Sequence, residues 1–90
     1  MDYHFRNWYI REDMYEAILR YEDHRIKPGD FLTAVICNDL CGAWGSADDE
    51  NLANLPAFVA YFYNEAPSEC WGSRERMLAW LRPADETEAA

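Results

Sequence analysis

The stretch that decides the fold is residues 30–44, which read DFLTAVICNDLCGAW. Its apolar side chains recur at spacings of three and four, which is typical of a helix with a wide apolar band. They are Phe31, Leu32, Val35, Ile36, Leu40, Ala43 and Trp44. Asp30 follows Pro28-Gly29 and can accept hydrogen bonds from the first free amides, so we expect the helix to begin there. The width of the band predicts that this helix lies at the centre of the domain.

Two further helices are predicted near the ends of the chain. Over residues 11–25, apolar side chains recur every three or four positions on an otherwise charged helix. Over residues 74–82 a shorter apolar side is preceded by Ser73, a good N-cap residue, and is followed by Pro83, which stops a helix.

A third helix, in chain order, is predicted to start at the acidic residues 48–50 and to end before Pro67. Pro56 falls inside its apolar pattern. One continuous helix with a kink at Pro56 is the favoured interpretation, and the alternative is a short turn followed by a second segment beginning near Asn54.

The fold class that follows is mainly α, a compact four-helix array with a short irregular or extended N-terminal arm. Residues 1–10, which form this arm, show no helical period and are interpreted as an extended arm or a short strand. We expect a single helical domain over residues 1–83, because 90 residues suffice for one hydrophobic core. Residues 84–90 hold three acids and no large apolar side chain, so we expect a disordered acidic tail there.

The net charge of -9 is concentrated in the middle of the chain. Residues 28–73 contain seven acids and no Lys or Arg. Such a segment should repel phosphates and attract basic protein surfaces, so we expect a protein partner and no direct binding of nucleic acid.

Several classes of function lack their sequence marks. No run of apolar residues reaches the length of a membrane span, and the N-terminus lacks the pattern of a signal peptide, which favours a cytoplasmic protein without a membrane partner. The three cysteines have no metal-ligand or disulfide spacing, although Cys37 and Cys41 are one helical turn apart. No nucleophile with an adjacent histidine, phosphate loop or calcium loop is present, so we expect neither catalysis nor a cofactor.

Asn38-Asp39 interrupts the apolar pattern of the central helix with two poor helix formers. Asp39 can face solvent or cap a nearby amide, or it can belong to a binding face together with the other central acids. The aromatic run over residues 58–63 has a similar double interpretation. Phe58 and Phe62 belong in the core, whereas Tyr61 and Tyr63 point elsewhere and should keep their hydroxyls near water.

The hypothetical binding face therefore combines carboxylates with amphipathic aromatic anchors, which are enriched at protein interfaces. Its predicted members are Asp39, Asp48, Asp49, Glu50, Tyr61, Glu65, Glu69 and Trp71. The many aromatic residues of so short a chain also make a homodimer an open alternative.

The segments PGDFLTAVICNDL from Pro28, AD followed by Asn51, NEAP from Asn64 and CWGS from Cys70 resemble a group of small phage and prophage proteins, most of which have no assigned function. The resemblance covers residues 18–81 and implies no catalytic residue. It implies, by analogy of role, an anti-defence protein that binds a host complex such as a CRISPR effector in the host cytoplasm. A carboxylate surface suits that role because it can occupy a basic nucleic-acid channel. The alternatives are a phage accessory or regulatory binding module and a sponge for a small signalling nucleotide.

Overall fold

The computed structural model describes residues 3–82, which form a two-stranded hairpin followed by six α-helices. The strands are β1 (Tyr3–Phe5) and β2 (Trp8–Ile10). The helices are α1 (Glu12–His24), α2 (Asp30–Ile36), α3 (Leu40–Ser46), α4 (Asp49–Ala53), α5 (Leu55–Asn64) and α6 (Arg74–Leu81), with a 3-10 turn at Ser68–Cys70 before α6. The mainly helical prediction is confirmed. Four helices were too few, because two of the predicted helices are each divided in two. The predicted tail, residues 84–90, lies outside the described residues.

The N-terminal arm is a β-hairpin. Its strands are antiparallel, with Tyr3 opposite Ile10 and Phe5 opposite Trp8. Arg6 lies in the turn with a left-handed backbone, φ 55°. Both strands pack on α5, and Ile10 is completely buried. The predicted extended arm is therefore an integral part of the core.

The central helix ends at Ile36 because Asn38 adopts a left-handed backbone, φ 61°. The amide of Asp39 then bonds to the Ala34 carbonyl at 2.8 Å, and the amide of Asn38 bonds to the Val35 carbonyl at 3.1 Å. This pair of bonds closes a helix in the Schellman manner. Asp39 next accepts a hydrogen bond from the Gly42 amide at 3.0 Å and begins α3. The prediction of one helix over residues 30–44 is therefore wrong, and the capping interpretation of Asp39 is confirmed.

The second division falls at Asn54, which ends α4 and precedes α5. Pro56 lies in the first turn of α5, where its missing N–H costs no intrahelical hydrogen bond. The favoured kinked helix is therefore wrong, and the alternative of two segments is correct.

The last helix closes the molecule against the first. Ser73 caps α6 by accepting from the Arg76 amide at 3.1 Å, as predicted. The indole of Trp80 donates to the Tyr21 carbonyl at 3.1 Å, while the Arg25 guanidinium lies 3.5 Å from the centroid of the Trp80 ring. Such a cation–π contact adds to the packing of α6 on the end of α1.

The core is continuous from the hairpin to α6. Its largest fully buried side chains are Tyr21, Phe58, Phe62, Ile10, Ile18, Leu32, Ile36, Met77 and Cys70. The hydroxyl of Tyr21 donates to the Cys70 carbonyl at 2.7 Å, so this buried polar atom is satisfied. Within residues 3–82, no buried side-chain nitrogen or oxygen lacks a hydrogen bond. The central position predicted for residues 30–44 holds for α2, whereas Leu40 and Trp44 of α3 are 70% and 66% exposed.

Candidate functional site

The carboxylates predicted to form a binding face all reach solvent. Each is exposed in the structure, and they are Asp39, Asp48, Asp49, Glu50, Glu65 and Glu69. Charged side chains that stay outside are the general rule, so exposure alone does not mark a site. What matters is whether these charges are compensated and whether they lie together.

Two of the six are compensated by Arg11, which is the central cation of an ion-pair network. Its guanidinium lies 2.9 Å from Asp48 and 3.1 Å from Glu50, and it also contacts Asp13 at 2.7 Å. Tyr9 donates its hydroxyl to Glu50 at 2.5 Å. The amide of Asn51 and, after it, Arg11 hold the pKa of the Asp48 carboxyl below its ordinary value. The expected uncompensated cluster at residues 48–50 is therefore reduced to Asp49, which forms no ion pair within residues 3–82.

The six carboxylates do not converge on one patch. Asp48–Glu50 precede α5 and Glu65 follows it, and a helix of ten residues is about 15 Å long. Asp39 lies at the start of α3, where its side chain is engaged in the cap. The structure thus distributes the acids over the surface instead of gathering them.

Of the two aromatic anchors, Tyr61 is not accessible. It is only 5% exposed, and its hydroxyl donates to the Glu22 carboxylate, with oxygen–oxygen distances of 2.8 and 2.9 Å. Its ring meets Tyr3 and Tyr15 edge-on. The expectation that Tyr61 faces water is wrong, because the hairpin, which the sequence pattern did not reveal, covers that side of α5.

Trp71 and the remaining aromatic residues follow expectation more closely. Trp71 is half-buried, with its ring centroid 6.1 Å from that of Phe62. Phe58 and Phe62 are buried, and Tyr63 is 77% exposed. Trp71 can therefore contact a partner with part of its side chain, whereas Tyr63 offers most of its own.

The most distinctive surface is apolar and was not predicted. A groove of about 450 Å³ runs along α5, lined by Phe5, Leu55, Pro56, Val59, Ala60, Tyr63 and Asn64. A smaller cleft beside it is also lined by Leu55 and Val59 and reaches Leu40 and Ala43 of α3. We call this continuous surface, from Leu40 across Val59 to Tyr63 and Phe5, the α3–α5 face. We include Trp44 in it because Trp44 lies one helical turn after Leu40 on α3.

The α3–α5 face carries no charge on either helix. Residues 40–46 and 55–64 contain no Asp, Glu, Lys or Arg, in a chain with 17 acids and 8 bases. Four of its large apolar side chains, Leu40, Trp44, Val59 and Tyr63, are more than half exposed. The charge-free run over residues 51–64 was the signal in the sequence, but the apolar pattern there could not separate the buried from the exposed side of the helix.

A third groove, of about 350 Å³, is polar. It lies between Asp30, Thr33, Cys37, Asp39 and Arg74. A nucleotide phosphate needs several converging donors, and here a single arginine shares the groove with two carboxylates. This groove therefore does not suit the nucleotide-sponge alternative.

The cysteines are all free, and burial raises the pKa of the Cys37 thiol and raises that of Cys70 to about 11. The thiol form is thereby favoured over the reactive thiolate. Among residues 3–82, no three His, Cys, Asp or Glu side chains are grouped so that they could hold a metal ion. No helix in this described part is both long and apolar enough to cross a bilayer.

No family model matches the chain, and neither the curated proteins nor the solved structures include one that matches it. The resemblance to small phage proteins therefore stays a prediction.

Proposed function

We propose that the protein acts without catalysis, by binding a protein complex that carries a basic surface and inhibiting it by covering that surface. The resemblance to phage proteins extends the proposal to a host defence complex, including a CRISPR effector, in the cytoplasm of the host. The observation that carries it is that four of the six carboxylates predicted for the binding face are exposed and form no ion pair within residues 3–82. They are Asp39, Asp49, Glu65 and Glu69. No Lys or Arg lies between residues 28 and 73 to compensate them locally.

Arg11 reduces the number of carboxylates that are available to a basic partner, compared with the number that the sequence suggested. Because Arg11 pairs with Asp48 and Glu50, these two acids attract a cationic partner less than their number implies. Among residues 48–50, Asp49 is therefore the acid that remains free to attract a basic partner. Glu65 and Glu69, which follow the other end of α5, contribute in the same way. A basic target that meets them must be broad enough to contact both ends of α5.

The first test is affinity capture from a host lysate with the whole chain as bait. Contacts between exposed charges are screened by salt, so the captured partner should be lost between about 50 mM and about 500 mM NaCl. A partner that is fully retained at the higher concentration would contradict a charge-led mechanism.

Matched charge variants locate the contact. Replacing three acids of the proposed surface should weaken capture at least about tenfold, since each neutralised contact removes part of the electrostatic attraction. The test variant is Asp49→Asn with Glu65→Gln and Glu69→Gln. The control, with the same change of net charge, is Glu16→Gln with Asp23→Asn and Glu75→Gln. Equal losses in both would indicate that only net charge matters.

Arg11→Gln gives the opposite expectation. The substitution frees Asp48 and Glu50, so the captured partner should bind more tightly than with the parent chain. Arg20→Gln removes the same charge elsewhere on the surface and serves as the control. A weaker complex with Arg11→Gln alone would mean that Arg11 itself contacts the partner.

Inhibition of defence is tested separately, by plating a restricted phage on cells that express the chain. Plating should rise by orders of magnitude against the inhibited system and should stay at the control level for the triple acid variant. Unchanged restriction against several defence systems, CRISPR effectors included, would overturn the anti-defence part of the proposal.

A further inference from the structure

The α3–α5 face contains both a projection and a recess. At one end, Leu40 and Trp44 stand one helical turn apart and are 70% and 66% exposed, so they project from α3. At the other end lies the groove of about 450 Å³ lined by Phe5, Pro56, Val59 and Tyr63. Leu55 and Val59 lie between the two ends, since they line both the groove and the cleft beside Leu40.

A surface that carries an apolar projection and an apolar recess is complementary to itself. A two-fold axis through its centre places the projection of one copy over the recess of the other, and does so twice. Such an axis would pass near Val59, the exposed residue shared by both ends of the face. A different partner would have to supply both shapes, whereas a second copy has them already.

The distribution of charge points to the same occupant. Each chain carries a net charge of -9, so two copies repel wherever their acidic surfaces approach. The α3–α5 face is built on two helices without charged residues, and Asp39 is the one carboxylate among the residues that line its groove and cleft, so two such chains can touch there with little repulsion. A cationic partner gains little from a face with a single carboxylate and would be drawn to the other acids instead.

A positive and a negative side chain adjoin opposite ends of the face. Arg6 lies beside the groove, with its guanidinium 5.0 Å from the centroid of the Phe5 ring. Asp39 lies at the base of the projection, directly before Leu40, and is exposed. The two-fold arrangement brings Arg6 of each copy toward Asp39 of the other, which fixes the orientation more than it adds affinity.

We propose that the α3–α5 face is the interface of a symmetric homodimer, in which Leu40 and Trp44 of each chain enter the α5 groove of the other. The groove and the projection involve only two short helices and the hairpin, so we expect the buried area to fall below the roughly 800 Å² per partner of a standard interface. The dimer is therefore weak, with a Kd on the order of 10 μM. The proposal goes beyond the inhibitory function and does not depend on it.

Sedimentation of the purified chain alone tests the dimer, between about 2 and about 500 μM. The parent should move from a monomer of 10.6 kDa to a dimer over this range. Val59→Asp places two like charges at the axis and should leave a monomer throughout, with the helical circular dichroism of the parent. Leu78→Asp is the matched control, since Leu78 is a similarly exposed apolar residue on α6, and it should dimerise like the parent.

A second measurement reports the position of the contact. In a Cys41→Ser background, Val59→Cys should form a disulfide between chains on mild oxidation, because the two Val59 positions face each other at the axis. Leu78→Cys in the same background should not. Raising NaCl from about 20 to about 300 mM should strengthen the dimer, because screening removes the repulsion between two strongly acidic bodies.

Four outcomes would overturn the proposal: a parent chain that stays monomeric at the highest concentration, a Val59→Asp chain that still dimerises, the absence of a Val59→Cys disulfide, or a dimer that dissociates in salt. Partner capture that persists with a strictly monomeric chain would leave the inhibitory function intact while refuting the dimer.

Discussion

Asp39 joins two helices by capping α3, and this role can be separated from a role of its charge. Its side chain accepts from the Gly42 amide at 3.0 Å. Asp39→Ala removes that acceptor and should lower the free energy of unfolding by about 1 kcal/mol, as for other N-caps. Asp39→Asn keeps an acceptor and removes the charge, so the loss should be a few tenths of that. Urea denaturation of both variants checks the expectation.

The two Asp39 variants should behave alike in partner capture if the carboxylate charge itself attracts a basic surface. Both would then weaken binding, although only Asp39→Ala weakens the fold. If the Asp39→Asn variant captured the partner as well as the parent does, Asp39 would not belong to the proposed binding surface. An Asn variant as unstable as the Ala variant would mean that the charge, and not the cap geometry, stabilises the start of α3.

Glu22 gives the fold a pH dependence of a definite sign. Its carboxylate accepts from the buried Tyr61 hydroxyl, but the burial of the carboxylate raises the pKa of Glu22 above its ordinary value of 4.5, and Asp23 adds to the increase. The folded chain therefore binds this proton more tightly than the unfolded chain does. The stabilisation is fully present below the unfolded pKa and is lost as the pH rises through the raised value.

We expect Glu22→Gln to be more stable than the parent at pH 7 and close to it at about pH 4, because glutamine does not titrate and still offers an oxygen to the Tyr61 hydroxyl. The measurement is the free energy of unfolding of both chains across this range. Glu16→Gln, an exposed position on the same helix, serves as the control. If the difference in free energy of unfolding between the parent and Glu22→Gln did not change with pH, the raised pKa of Glu22 would be contradicted.

At the scale of elements, the sequence predicted helices with a single apolar side well. The first was expected over residues 11–25 and is found at Glu12–His24, and the last was expected over 74–82 and is found at Arg74–Leu81. Each has one buried face, and the last also has its N-cap, Ser73. For such helices, the periodicity of the apolar residues carries most of the required information, and a capping residue sharpens the start where one is present.

The two divided helices show where periodicity fails. Apolar spacings continue from α2 into α3 even though Asn38 turns the chain, so the pattern could not report that α3 points Leu40 and Trp44 to solvent. The local sign of the break was the pair Asn38-Asp39. Whether the helix continued there depended on whether a left-handed turn followed by the Asp39 cap was more stable than a continuous helix. The sequence predicted an extended arm or a short strand over residues 1–10 but not the pairing of two strands, because each strand has only three residues and is held by packing on α5.

Asn54 connects the hairpin to the division between α4 and α5, and it is 7% exposed. Its side-chain oxygen accepts from the Tyr9 amide at 2.9 Å, and its side-chain nitrogen donates to the Glu50 carbonyl at 2.9 Å. Asn54→Ala leaves both backbone groups without these partners and should cost about 2 kcal/mol. Denaturation gives the loss, and faster hydrogen exchange at the Tyr9 amide should place it at the hairpin.

Asn64→Ala is the matched control for Asn54→Ala, since Asn64 is exposed at the end of α5, and it should change stability by less than about 0.5 kcal/mol. Asn54→Asp keeps the acceptor for the Tyr9 amide but turns a carboxylate toward the Glu50 carbonyl, so it should fall near the alanine variant. A tolerated Asn54→Ala would mean that the hairpin is held by Ile10 and its apolar neighbours alone.

For the whole molecule, the exposure of the acids followed from the sequence and their compensation did not. Carboxylates seek water in any fold, so their outward position needed no tertiary information. Arg11 reaches Glu50 across 39 positions of the chain, and this contact exists only because the hairpin and the start of α4 lie together. An acidic segment of a sequence is therefore not the same as an acidic surface, and the uncharged α3–α5 face arises from the same folding of the chain.

The excess of negative charge should destabilise the folded monomer, because its carboxylates repel one another. With a net charge of -9, the Tm should rise by several degrees when NaCl increases from about 20 to about 300 mM, because salt screens the repulsion between distant carboxylates more than it weakens the short Arg11 pairs. Thermal unfolding followed by circular dichroism at about 0.5 μM, well below the Kd proposed for the dimer, keeps the chain almost entirely monomeric for this purpose. Glu65→Lys with Glu69→Lys changes the net charge of the chain from -9 to -5 and should make the Tm less dependent on salt. Glu65→Asp with Glu69→Asp keeps the net charge, so the Tm of this control should depend on salt as it does in the parent. A Tm that falls with salt in the parent would mean that the ion pairs of Arg11 outweigh the repulsion of all the remaining acids.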